Sequence, residues 1–181
     1  MRVMFLAATA IMALMAGAGG QPARPASAPP PPGGAAVAGI PRFENFPATA
    51  GPPARTAPLI LTPPDRRYRT RLRAAAAERP NFAGHYVLTT WGCGTECVYG
   101  AAVNLRTGRV TFLPFTTCCF SEAPEGTEEM VAFRQDSSLL VLLGMTDERG
   151  TDIGAHYYRI QGDRLVHLRS VPFPPRRWET P

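Results

Sequence analysis

The chain has 181 residues, enough for one domain with a core of its own. Its formal charge is +5 without a single Lys, but from Leu59 onward 15 Arg face 13 Asp and Glu, so most of the excess lies in the N-terminal third. That distribution argues against a nucleic-acid-binding protein, which needs its basic residues clustered on one face.

Met1 to Ala18 combines Arg2, an apolar run from Val3 to Ala16 and small residues at Ala16, Gly17 and Ala18, the pattern of a secretory signal peptide cut near Ala18. The run is shorter than the roughly 20 residues that span a bilayer. The expectation is therefore a periplasmic or secreted chain without stable membrane insertion once mature, retention as an anchor being the alternative. No cysteine follows the run, which excludes lipid attachment there.

Residues 19–58 contain 11 Pro among 40 residues, including Pro29 to Pro32, with Ala, Gly and Ser between them. With little to bury, such a segment is expected to be a disordered, partly polyproline II spacer. A β-rich globular domain then spans 59–174 and a flexible tail 175–181. A chain starting near Leu59 is expected to keep its full stability.

Thr62, Pro63, Pro64 and Asp65 form a helix start, with a hydroxyl cap, prolines in the first turn and an acid at the positive end of the dipole. The helix is expected to run to Glu78. Tyr68, Leu72, Ala75 and Ala76 gather on its apolar side, while Arg66, Arg67, Arg69, Arg71 and Arg73 form a solvated face.

The segment Asn81 to Cys97, NFAGHYVLTTWGCGTEC, holds the densest set of special residues. Residues 85–91 read as a strand covered on both faces, followed by a loop in which Gly92 and Gly94 free the backbone. NFAGHY, a short strand, WGCGTEC and a strand closing on a TG turn resemble an uncharacterised family of small secreted bacterial proteins. The resemblance covers about Pro80 to Pro114. It implies a small secreted β-rich domain and assigns no catalytic residue.

Three hairpins follow. Residues 98–105 and 109–113 flank Arg106, Thr107 and Gly108; residues 130–134 and 139–144 flank a polar turn; residues 155–160 and 165–170 flank Gln161, Gly162 and Asp163. Leu139 to Leu143 is apolar on both faces and should be central. The expected fold is mainly β, an antiparallel meander of about seven strands closing towards a sandwich or barrel, with one helix packed on it.

Cys93, Cys97, Cys118 and Cys119 are an even set in an exported chain and point to disulfides; neither Cx3C nor a vicinal pair has the spacing of a zinc or thioredoxin-like site. Hairpin register places Cys97 beside Cys118, so the expected bridges are 97 with 118 and 93 with 119. The runner-up is 93 with 97 plus the vicinal pair.

His85 with a cysteine could form a base and nucleophile, although no third orienting group lies in pattern. A metal site from His85, His156 and His167 would need them to converge. Glu122, Glu125, Glu128 and Glu129 read as a solvated acidic loop. The residues thus favour a non-enzymatic binding or envelope-associated module, monomeric and without cofactor or metal. Its surface would be the disulfide-held loop Trp91 to Cys97, with His85, Trp91, Gly94, Thr95, Phe115 and Phe120, and its partner an envelope protein or glycan. The alternative is a periplasmic thiol-dependent or hydrolytic enzyme using His85 and a cysteine.

Overall fold

The computed structural model describes residues 39–118, 129–146 and 152–173; the leader, residues 19–38 of the spacer, Cys119, Phe120, most of the acidic loop and the tail lie outside the described residues. Eight antiparallel strands form one sheet that is not closed into a barrel. They are β1 Tyr86–Gly94, β2 Cys97–Asn104, β3 Val110–Phe112, β4 Thr117–Cys118, β5 Val131–Phe133, β6 Leu139–Thr146, β7 Gly154–Gln161 and β8 Arg164–Pro172. The strand order is β1-β2-β4-β6-β7-β8, with β3 also beside β2 and β5 also beside β6.

The unexpected strand is β4, two residues long and too short to show any periodicity. It links the halves of the sheet, because Thr117 pairs with Val98 of β2 and with Thr146 of β6. The halves face each other across a shared core. Tyr86, Leu88 and Ala102 from the first meet Val131, Leu140, Leu142 and Ile160 from the second, around Phe82 and Leu113.

Alternation along the strands sends the other residues outward, and each outer face has its own cover. On the first half, Val87, Trp91, Ala101 and Val103 pack beneath Leu72, Ala75 and Tyr68 of the helix. On the second, Leu139, Val141 and Ala155 pack beneath Phe46 and Phe43. The two-sided apolarity of β6 thus has one helix-free explanation: its outer face is covered by the N-terminal segment.

That segment corrects the spacer expectation for its second half. Residues 41–60 form a strap over the domain. Phe46 is buried, Ser138 N–H donates to the Phe46 carbonyl at 2.7 Å and Ala48 N–H to the Asp136 carbonyl at 2.8 Å. Further on, Ala57 N–H donates to Leu105 O and Ile60 N–H to Gly108 O, both at 2.8 Å. Pro, Ala and Gly have little to bury, but the two Phe residues between them do.

The helix begins as a 3-10 turn, Pro64–Tyr68, and continues as α1 Arg69–Ala76. Its cap is inverted relative to expectation: the buried Asp65 carboxylate accepts the Thr62 N–H at 2.6 Å, and no side chain of the N-terminal flank caps the first turn. The arginine face is solvent-exposed as expected.

The β2-β3 register, Val103 opposite Val110, slips by two residues before Val98 meets Thr117. Extended by one position, it sets Cys97 alongside Cys118, as the hairpin argument expects. The bridge nevertheless joins Cys93 to Cys97, so the pairings 97 with 118 and 93 with 119 are both overturned. The reason is that β1 does not end at Trp91. It runs on to Gly94, which pairs with Cys97, and Cys93 bulges out of the ladder with its Cα 5.2 Å from that of Cys97. The left-handed residue of this turn is Glu96, not a glycine.

Candidate functional site

The NFAGHY motif is a rigid clamp. The Asn81 side chain grips Leu88 from both sides, Oδ1 accepting its N–H at 2.8 Å and Nδ2 donating to its carbonyl at 3.0 Å. Phe82 enters the central core fully buried, and its backbone pairs with Tyr86. Between them Ala83 and Gly84 both have positive φ, 45° and 79°. A non-glycine residue there is strained, and strain of this kind persists only where the surroundings hold it. Here Gly84 N–H donates to Gln135 O at 2.7 Å and Ala83 N–H to Arg134 O at 3.3 Å.

The turn presents His85 to a cavity of about 260 Å³ lined also by Thr49, Ala83, Tyr86, Ser138, Arg159 and the turn Gln161–Gly162. It lies where the start of β1, the β7-β8 turn and the strap meet. Two buried side-chain nitrogens among the described residues have no hydrogen-bond partner, His85 Nδ1 and Arg159 Nε, and both belong to residues lining this cavity. Buried polar atoms are seldom left unpaired, since each costs roughly 1–3 kcal/mol.

Tyr86, Asn104 and the β7-β8 turn form a hydrogen-bonded frame beside them. Tyr86 donates its hydroxyl to Gly162 O, while Asn104 Nδ2 reaches the Tyr86 oxygen at 3.3 Å and Asp163 Oδ1 at 2.7 Å. Burial, with the Asp163 charge adding to it, pushes the Tyr86 phenol up to about 12. Asp163 also meets Arg109 at 3.8 Å. Burial and the Arg106 charge hold His85 below its ordinary range, against the opposing pull of the Ala50 and Ala83 carbonyls and Asp163. Phe46 lies under the Arg159 guanidinium at 6.0 Å, so the strap both walls the cavity and orients its cation.

The expected loop surface is not assembled. Trp91 is buried beneath the helix, 4.9 Å from the Tyr68 ring, and Phe115 lies on the opposite side of the sheet against His156 and Tyr158. Gly94 and Thr95 are exposed, and Phe120 lies outside the described residues. Two of the four cysteines are removed as thiol partners of His85: Cys93 lies eight residues along β1, roughly 26 Å at strand rise, and is bridged to Cys97.

His156 and His167 do converge, but on Ser170 Oγ, at 2.9 and 3.0 Å, with His156 Nε2 also 3.2 Å from Gly144 O. Among the described residues no group of three or more side chains could hold a metal. Arg159, Tyr86, Asn104 and Asp163 were not singled out in the sequence. The signal that reaches them is NFAGHY itself, whose His and Tyr abut them. Compared with protein families, curated proteins and solved structures, the chain matches none.

Proposed function

We propose that the chain is an exported, non-enzymatic binding domain that takes a small ligand in the cavity between His85 and Arg159. The carrying observation is the pair of unpartnered buried nitrogens around one cavity. The leader-like Met1 to Ala18 and the Cys93–Cys97 bridge support export to an oxidising compartment. A rigid clamp with a strained turn and a hydrogen-bonded frame supports a preformed site, the form in which small-molecule sites usually occur. Among the described residues no helix is long and apolar enough to cross a membrane.

The test is ligand-observed NMR of the full chain with the low-molecular-weight fraction of a cell-envelope extract. Signals that broaden with the native chain are expected to recover with His85→Ala and with Arg159→Met. Equal broadening by native and variant chains places binding elsewhere and refutes the reading.

A further inference from the structure

The geometry points to a small, singly charged carboxylate as the ligand of this cavity, its carboxylate held edge-on by the Arg159 guanidinium and its polar body by His85. The inference rests on the binding reading above and names the ligand class.

Arg159 is the one fully charged side chain lining the cavity. Among the described residues its guanidinium makes no hydrogen bond and no salt bridge, and Nε is buried. A partly buried cation without a counter-charge is costly, so an anion in the cavity would relieve it. One face of the guanidinium is taken by the Phe46 ring. What remains is the in-plane edge, where N–H groups form the fork that matches the two oxygens of a carboxylate.

The surrounding charges limit the ligand to one negative charge. Arg106 and Asp163 act on His85 in opposite directions, and Asp163 is already engaged by Asn104 and Arg109. Arg159 is the unbalanced charge among the lining side chains, and a dianion such as phosphate would leave a buried negative charge uncompensated. The Ala50 and Ala83 carbonyls act on the His85 ring, so its unpartnered Nδ1 is the one ring nitrogen left for a polar group of the ligand. Ala83 and Ile160 supply an apolar wall.

Size narrows the class further. About 260 Å³ holds several waters, at about 30 Å³ each, so a single trapped water does not fill it. It is smaller than the roughly 300–1,000 Å³ of sites for drug-sized ligands. A hydroxy acid or one sugar-acid unit fits.

The experiment follows the side-chain Arg Nε and His ring signals of the ¹⁵N-labelled full chain. The probes are sodium acetate, sodium glucuronate, sodium phosphate and neutral glucose, titrated at pH 7.5 and constant ionic strength. Saturable shifts of the Arg159 Nε signal with glucuronate, at least about tenfold weaker with phosphate, are the expected result. Arg159→Lys keeps the charge but loses the fork and should weaken glucuronate by about tenfold, the scale of a charge-assisted hydrogen bond. Equal affinity in that variant overturns the edge-on carboxylate. Tighter binding of phosphate or glucose at the same signals overturns the ligand class and leaves the binding domain standing. No shift with any of these probes, while envelope extract still shifts Arg159 Nε, also overturns the class; no shift with the extract either overturns both readings.

Discussion

The Ala50 carbonyl occupies the space that a side chain on Gly84 would need. The strap therefore lies directly on the clamp that carries His85, and the positive φ of 79° closes that position to other residues a second time. Gly84→Ala is expected to lift the strap and destabilise the domain by about 1–3 kcal/mol, the range for a strained backbone position. Urea denaturation checks the loss. An unchanged midpoint would mean that strap and turn separate at no cost.

Removal of everything before Leu59 is expected to destabilise the domain, contrary to what the proline-rich composition suggests. Burial of Phe46 is worth roughly 1.5–3 kcal/mol, and the strap adds backbone hydrogen bonds of about 0.5–1.5 kcal/mol each, partly offset by its ordering entropy. A net loss of at least about 2 kcal/mol is expected, together with loss of any ligand binding that needs Thr49 and Phe46. Equal melting of the full and shortened chains would show that the strap is a passenger.

Stability should depend on pH through His85. Its folded pKa lies below the unfolded value of 6.5, so the unfolded chain binds more protons in the window just below 6.5. The stabilisation is complete above pH 6.5 and is lost as the pH falls through the folded value. Urea midpoints from pH 8 to 5 should therefore fall, and His85→Gln should show a shallower decline than the native chain. Parallel curves for the two would remove His85 from the account. Carboxylates contribute to both curves alike, which is why the difference is read.

Reduction of the Cys93–Cys97 bridge should have a modest effect. It closes a loop of a few residues at an exposed hairpin end, and the chain-entropy model assigns such a loop about 2 kcal/mol. Cys93→Ser with Cys97→Ser is expected to lower the melting temperature while leaving the His85 ring signals in place, because the bridge lies at the far end of β1 from that residue. A displaced His85 signal would reveal coupling along the whole strand.

Local chemistry determined much of this protein. The alternation of Tyr86 to Trp91 and the two-sided run Leu139 to Leu143 announced covered strands, and Asn104 to Arg109 with its glycine announced a hairpin; all are present because neighbouring residues alone set strand period and turn angle. NFAGHY was legible as special, though not for what reason. What only the tertiary structure decided depends on residues far apart in the chain. Phe46 is core because β6 needs a cover that the helix, placed on the other half of the sheet, cannot supply. Cys93 meets Cys97 because a bulge prolongs β1, a matter of register and not of cysteine spacing. The cavity exists because β1, the β7-β8 turn and the strap meet at one point. No local pattern brings Arg159 to His85, since 73 residues lie between them and only the packing of the two halves of the sheet around Phe82 and Leu140 joins their ends.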